Sequence, residues 1–381
     1  MKRVLHVSPT DIRYDSRILK ELKAINEIDN IYLKAFGVED NEGHKYEIEV
    51  PSYLVIFQLL SKRLRFLPRP IRYFLNLLEA TLKLTIPGVR FKPDIIHCHD
   101  TLYLPIAIMI KFFCKSKLIY DAHELESDKA GQSKILSRYT LFIEKIAWKH
   151  IDLLITVSSS IIEWYKLNLG EKPSLLILNS PTQELDIEDV YGSEKNYLRE
   201  KFSIPNEAKI YLYLGILSKK GRGIEYYLDI FREDGIMGHL VLIGYGQDAE
   251  EIKRISEAHP KIHYHAAVRH DQVVEISKCA DVGLCLIEAV SLSDYYCLPN
   301  KLFEYAFSGL YILGSDFPDI RKVVQEYDLG RCSALNNDDL VAAVKEIDIM
   351  TIQKSKKNLY KLSWSYQAEQ LKSNYELILK R

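Results

Sequence analysis

The chain has 381 residues, of which 47% are hydrophobic and 27% are charged, and its formal net charge is −1. This composition is that of a globular protein, and a chain of this length is expected to form two domains. The balanced charge argues against a protein that its overall field steers to nucleic acid. The six cysteines are scattered without a C-x-x-C pair, which predicts reduced thiols in the cytoplasm rather than disulfides or a zinc site.

The first segment, MKRVLHVSPTDIRYDSR, begins with basic residues, but its apolar run is too short for a signal peptide. No uncharged run approaches the roughly 20 residues that a membrane-spanning helix needs. The sequence therefore predicts a soluble protein.

Short apolar runs alternate with helical patterns along both halves of the chain. In the first half, strands are predicted at 4–7, 31–36, 94–97, 118–121, 153–157 and 175–178, and helices at 16–27, 102–114, 134–150 and 159–168. In the second half, strands are predicted at 210–214, 240–243, 262–264, 282–286 and 311–313, and a last helix at 366–380. Such alternation indicates βαβ units and parallel sheets covered by helices on both faces.

We therefore expect an α/β protein of two doubly wound domains, 1–180 and 181–365, joined by an acidic linker at 181–197. The helix at 366–381 is expected to pack back on the first domain. If the two domains face each other, a cleft lies between the carboxyl ends of both sheets.

The segment 51–92 departs from the neutral balance of the whole chain. It holds eight basic residues and a single acid, Glu79, interleaved with aromatic and aliphatic side chains. This pattern is typical of contact with an anionic membrane surface, although a helix pair with a solvated basic face would also produce it. The basic residues are Lys62, Arg63, Arg65, Arg69, Arg72, Lys83, Arg90 and Lys92.

Two common nucleotide-binding motifs are absent. The first strand runs into SPTDIRYDSR, which lacks the glycines of a dinucleotide-binding G-x-G-x-x-G turn, and no P-loop sequence occurs. The first strand of the second half instead runs into LGILSKKGRGIEYY. Its glycines let the backbone approach an anion and its cations add charge, which favours phosphate binding, with Arg222 as the main contact, over an ordinary polar turn.

The stretch SDYYCLPNKLFEYAFSGLYILGSD follows another strand of the second half. Pro299 marks the loop-to-helix junction, and Asn300 and Lys301 lie in the first helical turn. Glu304 follows one turn later, where a carboxylate facing a cleft can bind the vicinal diol of a ribose. The alternative is a surface carboxylate, which the apolar neighbours of Glu304 disfavour.

PNKLFEYAFSGLYILGSDFPDIRKVV, with ADVGL and GRGIE upstream, closely resembles the retaining glycosyltransferases of family 4 (glycosyltransferase group 1). DSRILKEL, KPDIIHCHD and LIYDAHEL are similar to that family's N-terminal landmarks. The resemblance covers nearly the whole chain, and PNKLFEY and DAHEL are its most specific parts. It implies the GT-B fold, in which two Rossmann-like domains face each other across a cleft.

The resemblance also implies an activity. A retaining, metal-independent enzyme of the hexosyltransferase type would move a sugar from a nucleotide diphosphate sugar, with UDP as the expected nucleotide, to a glycan or lipid-linked saccharide. No cofactor and no nucleic acid partner are expected. The setting would be polysaccharide or surface-glycan biosynthesis, in the cytoplasm or at the inner face of its membrane.

Particular positions match the family's functional residues. The catalytic positions are His123, Arg222 and Lys301. The donor-binding positions are Gly215, Ser218, Arg222, Gly244, Tyr296, Pro299, Asn300, Lys301, Leu302 and Glu304. Those on the acceptor side are Asp15, Arg17, His99 and Asp100. The H-x-H of HCHD would also suit a metal, but the sequence shows no third ligand at matching spacing.

The chain departs from the family pattern at several positions. Tyr296 stands where the family commonly has a second glutamate that contacts the donor sugar, and Ile216 stands where an arginine is frequent. The glycine pair often found after the first strand is missing. Two alternatives therefore stay open, a sugar-nucleotide epimerase of the same fold and a catalytically inactive partner protein.

Overall fold

The computed structural model describes residues 1–40, 50–64, 66–181, 196–269 and 272–380. The chain divides into two compact units. Unit 1 comprises Met1–Ile177 and Gln367–Arg381, and unit 2 comprises Leu178–Tyr366. Most of the linker predicted at 181–197 lies outside the described residues.

Unit 1 is built on a seven-stranded sheet in the order β3-β2-β1-β4-β5-β6-β7, with every pairing parallel. Its strands are β1 (Lys2–Val7), β2 (Ile31–Val38), β3 (Leu54–Phe57), β4 (Ile95–His99), β5 (Lys117–Ala122), β6 (Leu153–Thr156) and β7 (Ser174–Leu176). Its helices are α1 (Ser16–Asn26), α2 (Arg69–Phe91), α3 (Leu104–Cys114), α4 (Lys134–Trp148) and α5 (Ser159–Leu169), joined by α14 (Trp364–Lys380) from the end of the chain.

Unit 2 is built on a six-stranded parallel sheet in the order β10-β9-β8-β11-β12-β13. Its strands are β8 (Ile210–Ile216), β9 (His239–Tyr245), β10 (Ile262–Ala266), β11 (Val282–Cys285), β12 (Tyr311–Ser315) and β13 (Gly330–Ser333). Its helices are α6 (Tyr197–Phe202), α7 (Ile224–Ile230), α8 (Ala249–Ala258), α9 (Val273–Ser277), α10 (Leu292–Tyr295), α11 (Asn300–Phe307), α12 (Pro318–Glu326) and α13 (Asn337–Ile349).

In both sheets the first strand lies in the interior, and the strand order reverses beside it. The reversal falls between β1 and β4 in unit 1 and between β8 and β11 in unit 2. Chain segments leave these neighbouring strands in opposite directions, which opens a crevice at their carboxyl ends where ligands bind. The predicted α/β architecture of two doubly wound sheets is confirmed, with β3 and β13 as additional edge strands that the sequence analysis missed.

Helix α2 has 23 residues and ends at Phe91, and the capping residue Lys92 has a φ of 51°, in the left-handed region that closes many helices. Pro87 lies inside it. In the described part of the chain, neither α2 nor any other helix combines the length and the hydropathy that crossing a membrane requires.

The close approach of β8 and β9 depends on glycine. Gly215 and Gly244 are register partners on the two strands, and a Cβ on Gly244 would lie 1.8 Å from the carbonyl oxygen of Gly215. No side chain fits this space. Gly244 therefore has a packing role that is independent of the donor contact predicted for it.

We expect Gly244→Ala to lower the free energy of unfolding by about 3 kcal/mol, because the clash is with backbone that cannot move aside. Gly131→Ala is the control, since a methyl group there meets no atom within 4 Å. Only its left-handed backbone would cost stability, about 1 kcal/mol. Urea denaturation measures both variants, and equal losses would contradict the packing role of Gly244.

Candidate functional site

The loop that leaves β8 in unit 2 is shaped by glycine. Gly221 and Gly223 have φ angles of 80° and 68°, and a Cβ on Gly223 would lie 2.9 Å from the carbonyl oxygen of Leu286. The Glu288 carboxylate accepts a hydrogen bond from the Gly223 N–H at 3.1 Å, which ties the loop to the segment after β11. The loop holds Arg222 half-buried at the carboxyl edge of the sheet.

Gly215 and Ser218 lie where β8 passes into this loop. Gly215 is exposed and has a φ of 141°. The hydroxyl of Ser218 accepts a hydrogen bond from the side-chain amide of Gln247 at 3.5 Å. Both residues are therefore at the same edge as Arg222, whereas Gly244 is buried against the backbone of Gly215.

Lys301, the second residue of α11, buries its amine at this edge. The Nζ lies 4.0 Å from the centroid of the Tyr213 ring and has no hydrogen-bond partner among the described residues. The residue is only 8% exposed. Burial lowers the pKa of Lys301 to about 8, and the positive charge of Arg222 acts in the same direction. Two neighbouring cations, one of them buried without a hydrogen-bonded anion, favour an anionic ligand.

Glu304 lies one helical turn after Lys301 and is half-buried. Burial has the largest effect on the pKa of Lys301, and the charges of Arg222 and Glu304 also affect this pKa. The three charged groups are therefore within electrostatic reach of one another. The structure thus brings together the guanidinium, amine and carboxylate that the sequence singled out in separate segments.

The other predicted donor residues differ in exposure. Asn300 begins α11 and is exposed, with Pro299 at the capping position before it. Tyr296 is half-buried after α10, and its ring centroid lies 5.4 Å from that of Tyr295. Leu302 is fully buried, so its side chain, unlike that of Glu304, faces the core. Helical geometry explains the difference, because Lys301 and Glu304 share one side of α11 while Leu302 points into the core.

In unit 1, the carboxylate of Asp121 at the end of β5 is completely buried. The Arg17 guanidinium lies 3.0 Å from Asp121 Oδ1 and 3.1 Å from Glu21 Oε1. Burial would raise the pKa of Asp121, but the charges of Arg17 and His123 outweigh it and hold this pKa well below its usual range. Burial and the neighbouring Asp121 raise the pKa of Glu21 to about 8. The cluster therefore contains one ionised and one protonated carboxyl group at neutral pH.

A chain of hydrogen-bonded rings extends from α14 to the carboxyl edge of the same sheet. The Tyr375 hydroxyl lies 2.6 Å from His97 Nδ1 and 3.1 Å from His6 Nε2. His6 Nδ1 lies 3.0 Å from His99 Nε2, and His99 Nδ1 lies 3.1 Å from His123 Nε2. The register explains this order, because His6 and His97 are partners on adjacent strands and His99, two residues later, faces the same side.

His123 is the exposed end of this chain of rings, with 18% of its side chain accessible. Burial would lower its pKa, but Asp121, 3.2 Å from Nε2, and Asp100 outweigh it and raise the pKa to about 10. At neutral pH the protonated Nε2 therefore donates. His99 can then accept this bond and donate to His6, and His6 can donate to the Tyr375 hydroxyl. Tyr375 in turn donates to His97.

The four predicted acceptor-side residues are not equivalent. Asp15 is half-buried, and its carboxylate caps the first turn of α1 by accepting a backbone hydrogen bond. Asp100 is partly exposed after β4, with a φ of 59°. Arg17 and His99 are buried, so neither offers its side chain to an acceptor in this conformation. The reason is that Arg17 pairs with Asp121 inside the unit, while the pleat of β4 turns His99 to the same interior.

Four of these groups could also reach a shared ion. One atom each from Glu21, His97, His99 and Asp121 lies within 4.8 Å of the other three. Two imidazoles and two carboxylates are a possible ligand set for a divalent cation. However, the guanidinium of Arg17 lies against both carboxylates, and its positive charge disfavours a second cation there.

Sequence reasoning missed three members of these sites, Tyr213, Glu288 and Tyr375. Glu288 ends the CLIE stretch and Tyr213 lies in β8, so both were close to motifs that the sequence did identify. Their contacts, however, join separate strands and loops. Tyr375 is 278 residues away from His97, and no local pattern connects them.

We expect Tyr375→Phe to lower the free energy of unfolding by about 2 kcal/mol, because it leaves two buried ring nitrogens, His97 Nδ1 and His6 Nε2, without a hydrogen-bond partner. Tyr73→Phe is the control, since Tyr73 is exposed and its hydroxyl bonds to no described residue. Chemical denaturation of both variants measures the difference. Wild-type stability in Tyr375→Phe would show that the imidazoles do not need this hydroxyl.

The chain is similar in sequence to known glycosyltransferases. Residues 31–178 match the model of Glycosyltransferase Family 4. The chain is 25% identical over 222 residues to an uncharacterized glycosyltransferase, MJ1069, of Methanocaldococcus jannaschii. That match covers 55% of this chain and 53% of the relative, about half the length of each.

Solved structures share the fold over nearly the whole chain. Sucrose-phosphate synthase from Thermosynechococcus elongatus superposes with a TM-score of 0.69 at 14% identity, covering 99% of this chain and 96% of that protein. HepE from Anabaena, in complex with UDP-glucose, superposes with a TM-score of 0.63 at 10% identity, covering 99% and 100%. At these identities the likeness concerns the fold alone.

Proposed function

We propose that this chain, which has the GT-B fold and the resemblance to glycosyltransferase family 4 that its sequence indicated, is a retaining glycosyltransferase that uses a nucleotide diphosphate sugar. The observation that carries the proposal is the pair of cations in unit 2, Arg222 and Lys301, neither of which is hydrogen-bonded to an anion among the described residues. HepE, a protein of the same fold, was solved with UDP-glucose, which supports UDP as the nucleotide of the donor.

A diphosphate at Arg222 and Lys301 would supply the missing negative charge. Phosphate oxygens would replace the water that burial removed from the amine and would favour its protonated form. As the bond between sugar and phosphate breaks, the same two cations would stabilise the charge that develops on the leaving nucleotide diphosphate. Because side chains provide this stabilisation, we propose that the reaction requires no bound metal.

Glu304 is proposed to hold the ribose of the donor. Its carboxylate lies one turn from Lys301, and a carboxylate can accept hydrogen bonds from both hydroxyls of a vicinal diol. Pro299 and Asn300 would line the same pocket at the start of α11, and Gly215 and Ser218 would line it from the β8 loop.

His123 in unit 1 is proposed to contact the transferred sugar. Since its pKa is raised to about 10, chiefly by Asp121 and Asp100 against the effect of burial, it is an imidazolium at neutral pH. It would therefore donate a hydrogen bond rather than act as a general base. No side chain is assigned as a covalent nucleophile, and the acceptor hydroxyl would enter from the face that the diphosphate leaves.

The acceptor is proposed to be a glycan or lipid-linked saccharide in polysaccharide or surface-glycan assembly at the cytoplasmic face of a membrane. The basic, amphipathic segment 51–92, which contains α2, supports contact with anionic lipid. Arg65 of this segment lies outside the described residues.

Two other functions are compatible with the fold, a sugar-nucleotide epimerase and an inactive partner protein, the latter because of Tyr296. Incubation with UDP-, GDP- and ADP-sugars, with and without EDTA, separates them. Slow donor hydrolysis that resists EDTA is expected. Interconversion of sugars would identify an epimerase, binding without turnover an inactive partner, and loss of hydrolysis in EDTA a metal requirement.

We expect Glu304→Ala to weaken UDP binding by about tenfold or more, because a charged hydrogen-bond acceptor for the ribose is lost. Glu257→Ala, on the exposed surface of α8 in the same unit, is the matched control. Isothermal titration calorimetry measures both affinities. Wild-type affinity in Glu304→Ala would mean that the ribose assignment is wrong.

The affinity for UDP is expected to fall between about pH 7 and about pH 9.5, because Lys301 loses its proton near a pKa of about 8 and then no longer attracts the diphosphate. Lys301→Arg keeps its charge throughout this range and should show a flatter profile. Titration with uridine, which lacks phosphate, is the control. The same pH dependence in Lys301→Arg would assign the titration to another group.

A further inference from the structure

Helix α2 of unit 1 turns a stripe of apolar side chains to solvent. These residues recur at intervals of three and four, the spacing of one helix face, and each is between 49% and 66% exposed. They are Ile71, Phe74, Leu78, Leu82 and Ile86. The opposite side of the helix is apolar as well, since Ala80 and Leu84 are fully buried. The outward stripe is therefore additional to the core-facing one.

Helices α3 and α4 continue this surface, because α2 packs against α3 and α3 against α4. Their exposed apolar residues are Met109, Phe112 and Phe113 on α3 and Ile135, Leu136, Tyr139, Phe142 and Ile146 on α4. Phe112 and Phe113 are 81% and 64% exposed, respectively. We call the outward surface of these three helices the three-helix face. A monomer rarely exposes so much contiguous apolar surface without a binding role.

The charges on the three-helix face are positive. The two acids within its helices are engaged elsewhere, since Glu79 accepts hydrogen bonds from the backbone at 60 and 61, and Glu144 is buried and accepts one from Tyr120. Exposed cations flank the apolar stripes, namely Arg90, Lys134, Arg138 and Lys145. A partner that suits this surface presents apolar groups to the exposed apolar side chains and negative charge to the cations that flank them.

We propose that the three-helix face binds a membrane surface that contains anionic lipids. Its aromatic and aliphatic side chains would enter the interface, and its lysines and arginines would contact the headgroups. A second copy of the chain is disfavoured as the occupant, because face-to-face docking would oppose like charges. The inference rests on the proposed function for its setting, since a lipid-linked acceptor lies in such a membrane. The sequence indicated only α2, and the structure adds α3 and α4.

Cosedimentation of the full chain with lipid vesicles tests this inference. Binding is expected with phosphatidylcholine vesicles that contain phosphatidylglycerol, much less with phosphatidylcholine alone, and less at high salt. The double variant Phe112→Ser, Phe113→Ser should weaken binding about tenfold or more. Arg138→Glu and Lys145→Glu should each weaken it at least about fivefold.

Controls come from unit 2, where Ile349 is 77% exposed and Lys253 is exposed on α8. Ile349→Ser and Lys253→Glu should bind vesicles as the wild type does. The proposal is overturned if the wild type ignores anionic vesicles or if the control variants lose as much binding as the face variants. It is equally overturned if Phe112→Ser, Phe113→Ser only converts a dimer to a monomer in sedimentation velocity.

The same variants separate this inference from the proposed function. UDP affinity measured without vesicles should be unchanged in the face variants, which lie outside the donor residues. A chain that binds anionic vesicles but no nucleotide would retain the membrane inference and lose the proposed transferase activity.

Discussion

The reversal of strand order beside β1 and β8 is the constraint on which the chemistry of both units depends. Where neighbouring parallel strands send their connections in opposite directions, the carboxyl edge of the sheet stays open. In unit 1 the edge carries a row of imidazoles, and in unit 2 it carries a glycine-lined loop and a buried amine.

Buried charge is compensated differently at the carboxyl edges of the two sheets. In unit 1, the negative charge of Asp121 is balanced by Arg17 and His123 of the same unit, so this carboxylate needs no ligand to compensate its charge. In unit 2, the amine of Lys301 rests on an aromatic ring, and no carboxylate is hydrogen-bonded to it among the described residues. A buried cation in that state destabilises the folded chain, and its lowered pKa reflects the effect. An anionic ligand that pairs with the buried amine removes this destabilisation and is bound more tightly as a result. Unit 2 is therefore the half that selects an anion.

The architecture was predictable because buried parallel strands are continuous apolar runs. Strand β13, with the sequence GRCS, lacks that signal, whereas β3, with the sequence LVIF, has it but lies within the basic segment 51–92 that was interpreted as amphipathic. Lys301 and Glu304 were predictable because residues three apart share a helix face. Burial of Arg17 was not, since a charged residue in an amphipathic helix is normally exposed, and its partner Asp121 lies on a strand 104 residues further along the chain. Tyr375 could not be predicted either, because its partner His97 lies on a strand 278 residues earlier in the chain. A helix that is apolar on two sides, such as α2, does not reveal from its sequence which side meets the sheet.

Tyr375 belongs to a unit whose other elements end at Ile177, so unit 1 is discontinuous along the chain. On the ribosome His97 emerges early, whereas Tyr375, whose hydroxyl joins it to His6, is synthesised 278 residues later. The whole sequence of unit 2 is available for folding before then. Unit 1 therefore completes its interior only after α14 has been synthesised, and a nascent chain that lacks α14 leaves His6 and His97 without the Tyr375 hydroxyl.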